Sequence, residues 1–122
     1  MDTRVAHSPL FDGVDPDLVS LLVAGGEVRV LRTGERLLRA GATNSTLFVI
    51  LAGQLSVRVT EAPHALLRFG PGDCVGELSV LDGQQVSTDV VADGRVEVLG
   101  FDRDQVWTLI ERSPVAARNL LR

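Results

Sequence analysis

The apolar positions of this chain change their period twice. In Asp15-Pro16-Asp17-Leu18-Val19-Ser20-Leu21-Leu22-Val23, the residues Leu18, Leu21 and Leu22 recur at helical spacing. Asp15 is suited to the N-cap and Pro16 to the first helical position, and Gly25-Gly26 supplies a stop, which predicts a helix over 15–24. From residue 27 the period becomes two. Val28, Val30 and Leu37 alternate with Arg29, Arg32, Arg36 and Arg39. TLFVILA (46–52) is almost continuously apolar, as a strand buried on both faces requires. QLSVRVT (54–60) sets Leu55, Val57 and Val59 on one face and Ser56, Arg58 and Thr60 on the other. Further strands are expected at 87–92 and 95–101. Glycines punctuate the whole stretch, and short strands with frequent turns point to a sandwich or barrel. The period then returns to that of a helix. Asp102 is an N-cap for RDQVWTLIERS, with Val106, Leu109 and Ile110 on one side and Trp107 beside them. Ser113-Pro114 opens a second helix, PVAARNLLR, running to Arg122. The reading is mainly β with flanking helices: helix 15–24, a β-roll over 27–101 and C-terminal helices over 102–122, in one domain spanning 1–122.

Length and charge narrow the function. A chain of 122 residues, 45% hydrophobic and 23% charged, has room for one modest core. Sixteen acids face twelve bases, all of them arginine, giving a net charge of −4. Such a balance argues against a nucleic-acid surface, because phosphate contacts need clustered positive charge. No apolar run is long enough for a membrane span, and MDTRVAHSPLFDGVD has no signal-peptide core, so a cytoplasmic location is expected. The single cysteine, Cys74, excludes an internal disulfide and a multi-cysteine zinc site.

Four stretches combine into a recognisable whole: TGERLLRAG (33–41), LFVILAGQLSV (47–57), FGPGDCVGELSVLDG (69–83) and FDRDQVWTLIERSP (101–114). Together they resemble the cyclic nucleotide-binding domain family. It includes the sensor half of catabolite-activator-type regulators and the regulatory subunits of cyclic AMP-dependent kinase. The resemblance covers roughly residues 10–122 and implies an antiparallel β-roll, or jelly roll, with helices at both ends. It implies a phosphate-binding cassette within residues 70–94, with Gly76, Glu77, Leu78 and Ser79 matching its Gly-Glu-Leu-small motif. There Gly76 would let the backbone approach a ligand, N–H groups at a short helix start would attract an anion, and Glu77 would accept from a ribose hydroxyl. The implied ligand is a cyclic nucleotide, and no metal or other cofactor is implied.

The family's cassette arginine is absent. Its place falls on Val86 or Ser87, with Ser87-Thr88 where the small pair belongs. The stretch 70–94 holds five carboxylates and no base, while the rest of the chain holds twelve arginines and eleven acids. Leaving a buried charge without its partner costs about 3–5 kcal/mol, or two to four decades of affinity at about 1.4 kcal/mol per decade. Strand alternation turns Arg58 away from the roll interior, which leaves Arg39, Arg68 and Arg95 as arginines able to reach in from outside the cassette. A regulatory domain without a classical cyclic AMP site is expected. The alternatives are a cyclic mono- or dinucleotide receptor with a rearranged site, and the sensor half of a transcription regulator. The spelling VGELSVLDGQ, VSTDVVA and SPVAARNLL is most similar to domains ahead of diguanylate cyclase (GGDEF) modules, which often lack the cassette arginine. The implied partners are a downstream effector domain and a second copy, joined through a C-terminal helical seam at Val115, Leu120 and Leu121.

The remaining reactive side chains read as structural. His7 and His64 lack a third ligand at metal spacing. Cys74 alternates into a strand as a small hydrophobe. Asp82-Gly83 reads as a turn, and Asp102 and Asp104 as first-turn helix charges. Nothing combines into a catalytic set, so no enzymatic activity is expected.

Overall fold

The computed structural model describes residues 4–59, 62–76, 85–86 and 88–120, with the main chain alone at 58–59 and 62–66. Two short 3-10 helices, Val5–His7 and Pro9–Phe11, precede helix α1, Pro16–Gly25. Strands follow: β1 Glu27–Leu31, β2 Arg36–Leu38, β3 Thr46–Val59, β4 Ala62–Phe69, β5 Cys74–Val75 and β6 Asp89–Asp102. Helices α2, Arg103–Arg112, and α3, Pro114–Leu120, close the described chain. All strand pairs are antiparallel, in the order β1-β6-β3-β4, with β2 also on β6 and β5 also on β3. This is the mainly β architecture with flanking helices that the sequence predicts.

The helix ends follow local chemistry. Asp15 caps α1 by accepting from Asp17 N–H, with Pro16 in the first turn. Asp102 and Gln105 form a reciprocal capping box on α2, and Ser113 Oγ accepts from Ala116 N–H at the start of α3.

β3 divides the interior in two. Leu47, Val49 and Leu51 face a cluster with Val19, Leu22, Val106, Leu109 and Phe101 beneath the helices. Phe48 and Ile50 face the roll, with Leu37, Leu55, Val86, Val90 and Val98. That is why 46–52 reads as unbroken apolar sequence.

Several expectations need correction. The stretches 46–52 and 54–60 are not two strands. Gly53, at φ +86°, carries a single strand through, with register shifts against β6 between Ile50 and Ala52 and between Ala52 and Gln54. A Cβ at Gly53 would strike the Arg95 carbonyl oxygen, so the bulge requires glycine. The strands at 87–92 and 95–101 likewise merge into β6, which begins at Asp89. On α1 the buried stripe is Val19, Leu22 and Val23, while Leu21 is 61% exposed. Val28 and Val30 lie in the open, because β1 is an edge strand that sends only Leu31 into the core. Ser56, assigned to the outer face of β3, is buried and gives its hydroxyl to Asp93. Val115 and Leu120 pack partly against this chain's own core. Leu121 and Arg122 lie outside the described residues.

Candidate functional site

The predicted cassette is held at both ends. On its leading side, the turn before β5 is closed by Asp73, whose carboxylate accepts from Gly70 N–H at 2.8 Å. The turn locks to β3 through Gly72 N–H to Ile50 O and Ile50 N–H to Asp73 O. β5 then pairs Val75 with Phe48 and Cys74 with Val49, leaving Cys74 half-buried. Gly76 follows at φ +89°, where a Cβ would lie 2.6 Å from the Thr46 carbonyl oxygen and 2.7 Å from Asn44 Nδ2. Asn44 fixes that neighbour by donating to Thr46 O and accepting from Thr46 N–H. Only glycine fits this departure point.

The returning side is anchored at Val86. Gly41 N–H donates to Val86 O at 2.8 Å, and Val86 N–H donates to Ala42 O at 2.9 Å. The Val86 side chain is buried among Leu37, Phe48, Val75 and Val90. Three residues later Asp89 ties the same β2–β3 loop down. Its carboxylate accepts from Ala40 N–H at 2.8 Å and pairs with Arg36 at 3.6 Å. Of the sequence-predicted site residues, Gly76 and Val86 therefore mark the two ends, and Thr88 is half-buried beside them in sequence. Glu77, Leu78, Ser79 and Ser87, with the Asp82-Gly83 turn, lie outside the described residues.

Among the described residues the buried polar side chains are Ser8, Ser56 and Ser113, none of them charged. Arg39 and Arg68 are exposed. Arg95 sits at the surface, bonded to Glu97 at 2.8 Å, and Arg4 reaches the same carboxylate at 3.0 Å. The Arg95 hydrogen bond, with a second from Arg4, holds the Glu97 carboxyl below its ordinary range. Among the described residues no group of three or more His, Cys, Asp or Glu is arranged to hold a metal ion. No helix among them is long and apolar enough to cross a membrane.

Asn44 and Asp89 are the contributors that the sequence reading missed. Asn44 carried a usable signal, since a short polar residue two places before a strand often bonds the backbone two residues on. Asp89 carried none, because its partner Ala40 lies 49 residues away.

The family model for the cyclic nucleotide-binding domain matches residues 28–113, the span from β1 to the end of α2. The chain belongs to the cyclic nucleotide-binding domain family. Among curated relatives is a cyclic AMP receptor protein from Thermus thermophilus, 31% identical over 93% of this chain and 54% of its own length. Among solved structures, the Thermus thermophilus catabolite activator protein superposes with a TM-score of 0.82 at 31% identity, covering 93% of this chain and 55% of that one. A regulatory subunit of a cAMP-independent protein kinase A from Trypanosoma brucei has the same fold. Its TM-score is 0.75 at 24% identity, covering 95% of this chain and 47% of that one. That structure is of a variant with glutamate-to-alanine, threonine-to-arginine and valine-to-alanine replacements, bound to cAMP in its A site. The chain spans about half the length of these relatives. As a cyclic nucleotide-binding domain, it has the β-roll that the sequence implies.

Proposed function

We propose that this chain is a regulatory domain of a larger signalling protein, with a degenerate cassette that does not hold a cyclic mononucleotide at a regulator's working concentration. The observation that carries this reading is Val86. It is one of the two positions, with Ser87, on which the family's arginine is counted to fall, and its side chain is buried among apolar residues. A cyclic monophosphate enclosed there would meet no buried cation among the described residues. The cAMP-independent kinase subunit lends support, since its cAMP-bound variant carries a threonine-to-arginine replacement. On this reading the domain acts on an effector through the C-terminal helices, as a homodimer, away from membrane and nucleic acid. The spelling of the cassette and of α3 favours a diguanylate cyclase as that effector. The likeness to the catabolite activator protein favours the sensor half of a transcription regulator as the second choice.

The test restores the charge. Val86→Arg and Ser87→Arg are made separately, with folding checked by circular dichroism. Cyclic AMP is expected to raise the melting temperature of one variant and to leave the parent unmoved. A parent shift as large as the variant's contradicts the proposal.

A receptor with a rearranged site is favoured by one observation. Arg39 belongs to the loop whose Gly41 and Ala42 bond Val86. In that case Arg39→Ala and Glu77→Ala would each abolish a shift already present in the parent.

A further inference from the structure

The outer face of α1 and α2 carries two shallow grooves. α1 and α2 run antiparallel: Gln105, in the first turn of α2, donates to Gly25 O at the end of α1. Leu18 and Leu21 form a ridge between two grooves. One, about 230 Å³, is lined also by Leu22, Thr108 and Leu109 and reaches Asp102 and Asp104. The other, about 490 Å³, reaches Asp15, Asp17 and Arg112 at the opposite end of α1. Leu21 is 61% exposed although its neighbours Leu22 and Val23 are buried. All four aspartates are exposed, and none joins an ion pair among the described residues. The result is a trough along a ten-residue helix, about 15 Å long, with leucines in its middle and carboxylates at both ends.

We propose that this trough docks an amphipathic helix of a partner protein, about three turns long, apolar in its middle and basic at both ends. Charge selects that occupant. Four carboxylates against the one guanidinium of Arg112 line the two grooves, so a basic segment is attracted to each end. An acidic helix or an anionic membrane is repelled. Leu18 and Leu21 offer the apolar anchor that helix-in-groove recognition uses. The inference is independent of whether the cassette binds nucleotide.

The probes are two synthetic helical peptides of about 14 residues, identical in a leucine stripe and differing only in lysine or glutamate at both ends. Each is titrated into the chain by calorimetry and by emission of Trp107, the sole tryptophan, on α2. The lysine-ended peptide is expected to bind one to one, and the glutamate-ended peptide at least about tenfold more weakly. Raising salt from about 50 to about 500 mM should weaken the first. Leu21→Ser, at an exposed position and with its fold checked by circular dichroism, should weaken it at least about tenfold. The double variant Asp17→Asn, Asp104→Asn should lower its salt dependence. Equal binding of both peptides, no binding of the lysine-ended one, or indifference to Leu21→Ser overturns the proposal. So does dimerisation of the chain by sedimentation that Leu21→Ser abolishes, which would give the trough to a second copy.

Discussion

Val86 and Glu97 act in opposite electrostatic settings. Val86 occupies an apolar interior, so an anion reaching it gains no compensating charge from it. Whichever of Val86→Arg and Ser87→Arg brings its guanidinium to the anion is expected to gain up to two to four decades of affinity at about 1.4 kcal/mol per decade. Glu97 has the reverse situation, with arginines on two sides. Its folded-state pKa lies below the ordinary 4.5, so its contribution to stability is present above that value and is lost as pH falls through the depressed pKa. Glu97→Gln is therefore expected to lower the melting temperature slightly at pH 7 and not at all at the acid end. Just below about 4.5 the variant's curve of melting temperature against pH should be flatter than the parent's. A parallel offset at every pH would mean that the side chain acts through packing instead.

At the scale of elements, β3 and β6 explain both what the sequence made legible and what it hid. The unbroken run 46–52 announced a strand covered on both faces, and the covering clusters lie on either side of it. The caps Asp15 and Asp102 were readable because a cap is chosen by residues within a few positions. The bulge at Gly53 was not readable as a bulge. A glycine between two apolar runs looks the same whether it ends a strand or bends one, and the deciding contact, the Arg95 carbonyl, lies far along the chain. The inward stripe of α1 was misplaced for a related reason. Leu18, Leu21 and Leu22 satisfy helical spacing as well as Val19, Leu22 and Val23 do, and only docking selects between them. Gly53→Ala tests the bulge. A residue with a Cβ at positive φ costs about 1–3 kcal/mol, and the backbone collision adds to it. A drop of at least about 2 kcal/mol in urea unfolding is expected. A loss below about 0.5 kcal/mol would show that β3 straightens without penalty. Of the cassette, the sequence offered Gly76 and Val86 as ligand-side residues, and their backbone anchoring, like the latch of Asp89 onto Ala40, depends on tertiary approach.

For the molecule as a whole, the net charge of −4 is unevenly placed. The stretch 70–94 carries five carboxylates without a base, and the rest is nearly balanced. Two of those carboxylates are engaged in shaping the loop ends, Asp73 on Gly70 and Asp89 on Ala40 and Arg36. The acidity is thus partly structural, since these two carboxylates hold the backbone at the ends of the loop. The chain spans about half the length of the related proteins. The proposal is that the roll stands without holding a cyclic mononucleotide. Isothermal titration of the chain with cyclic AMP and cyclic GMP measures it directly. No saturable binding is expected below about 100 μM. Clean one-to-one binding at micromolar concentration would contradict the account.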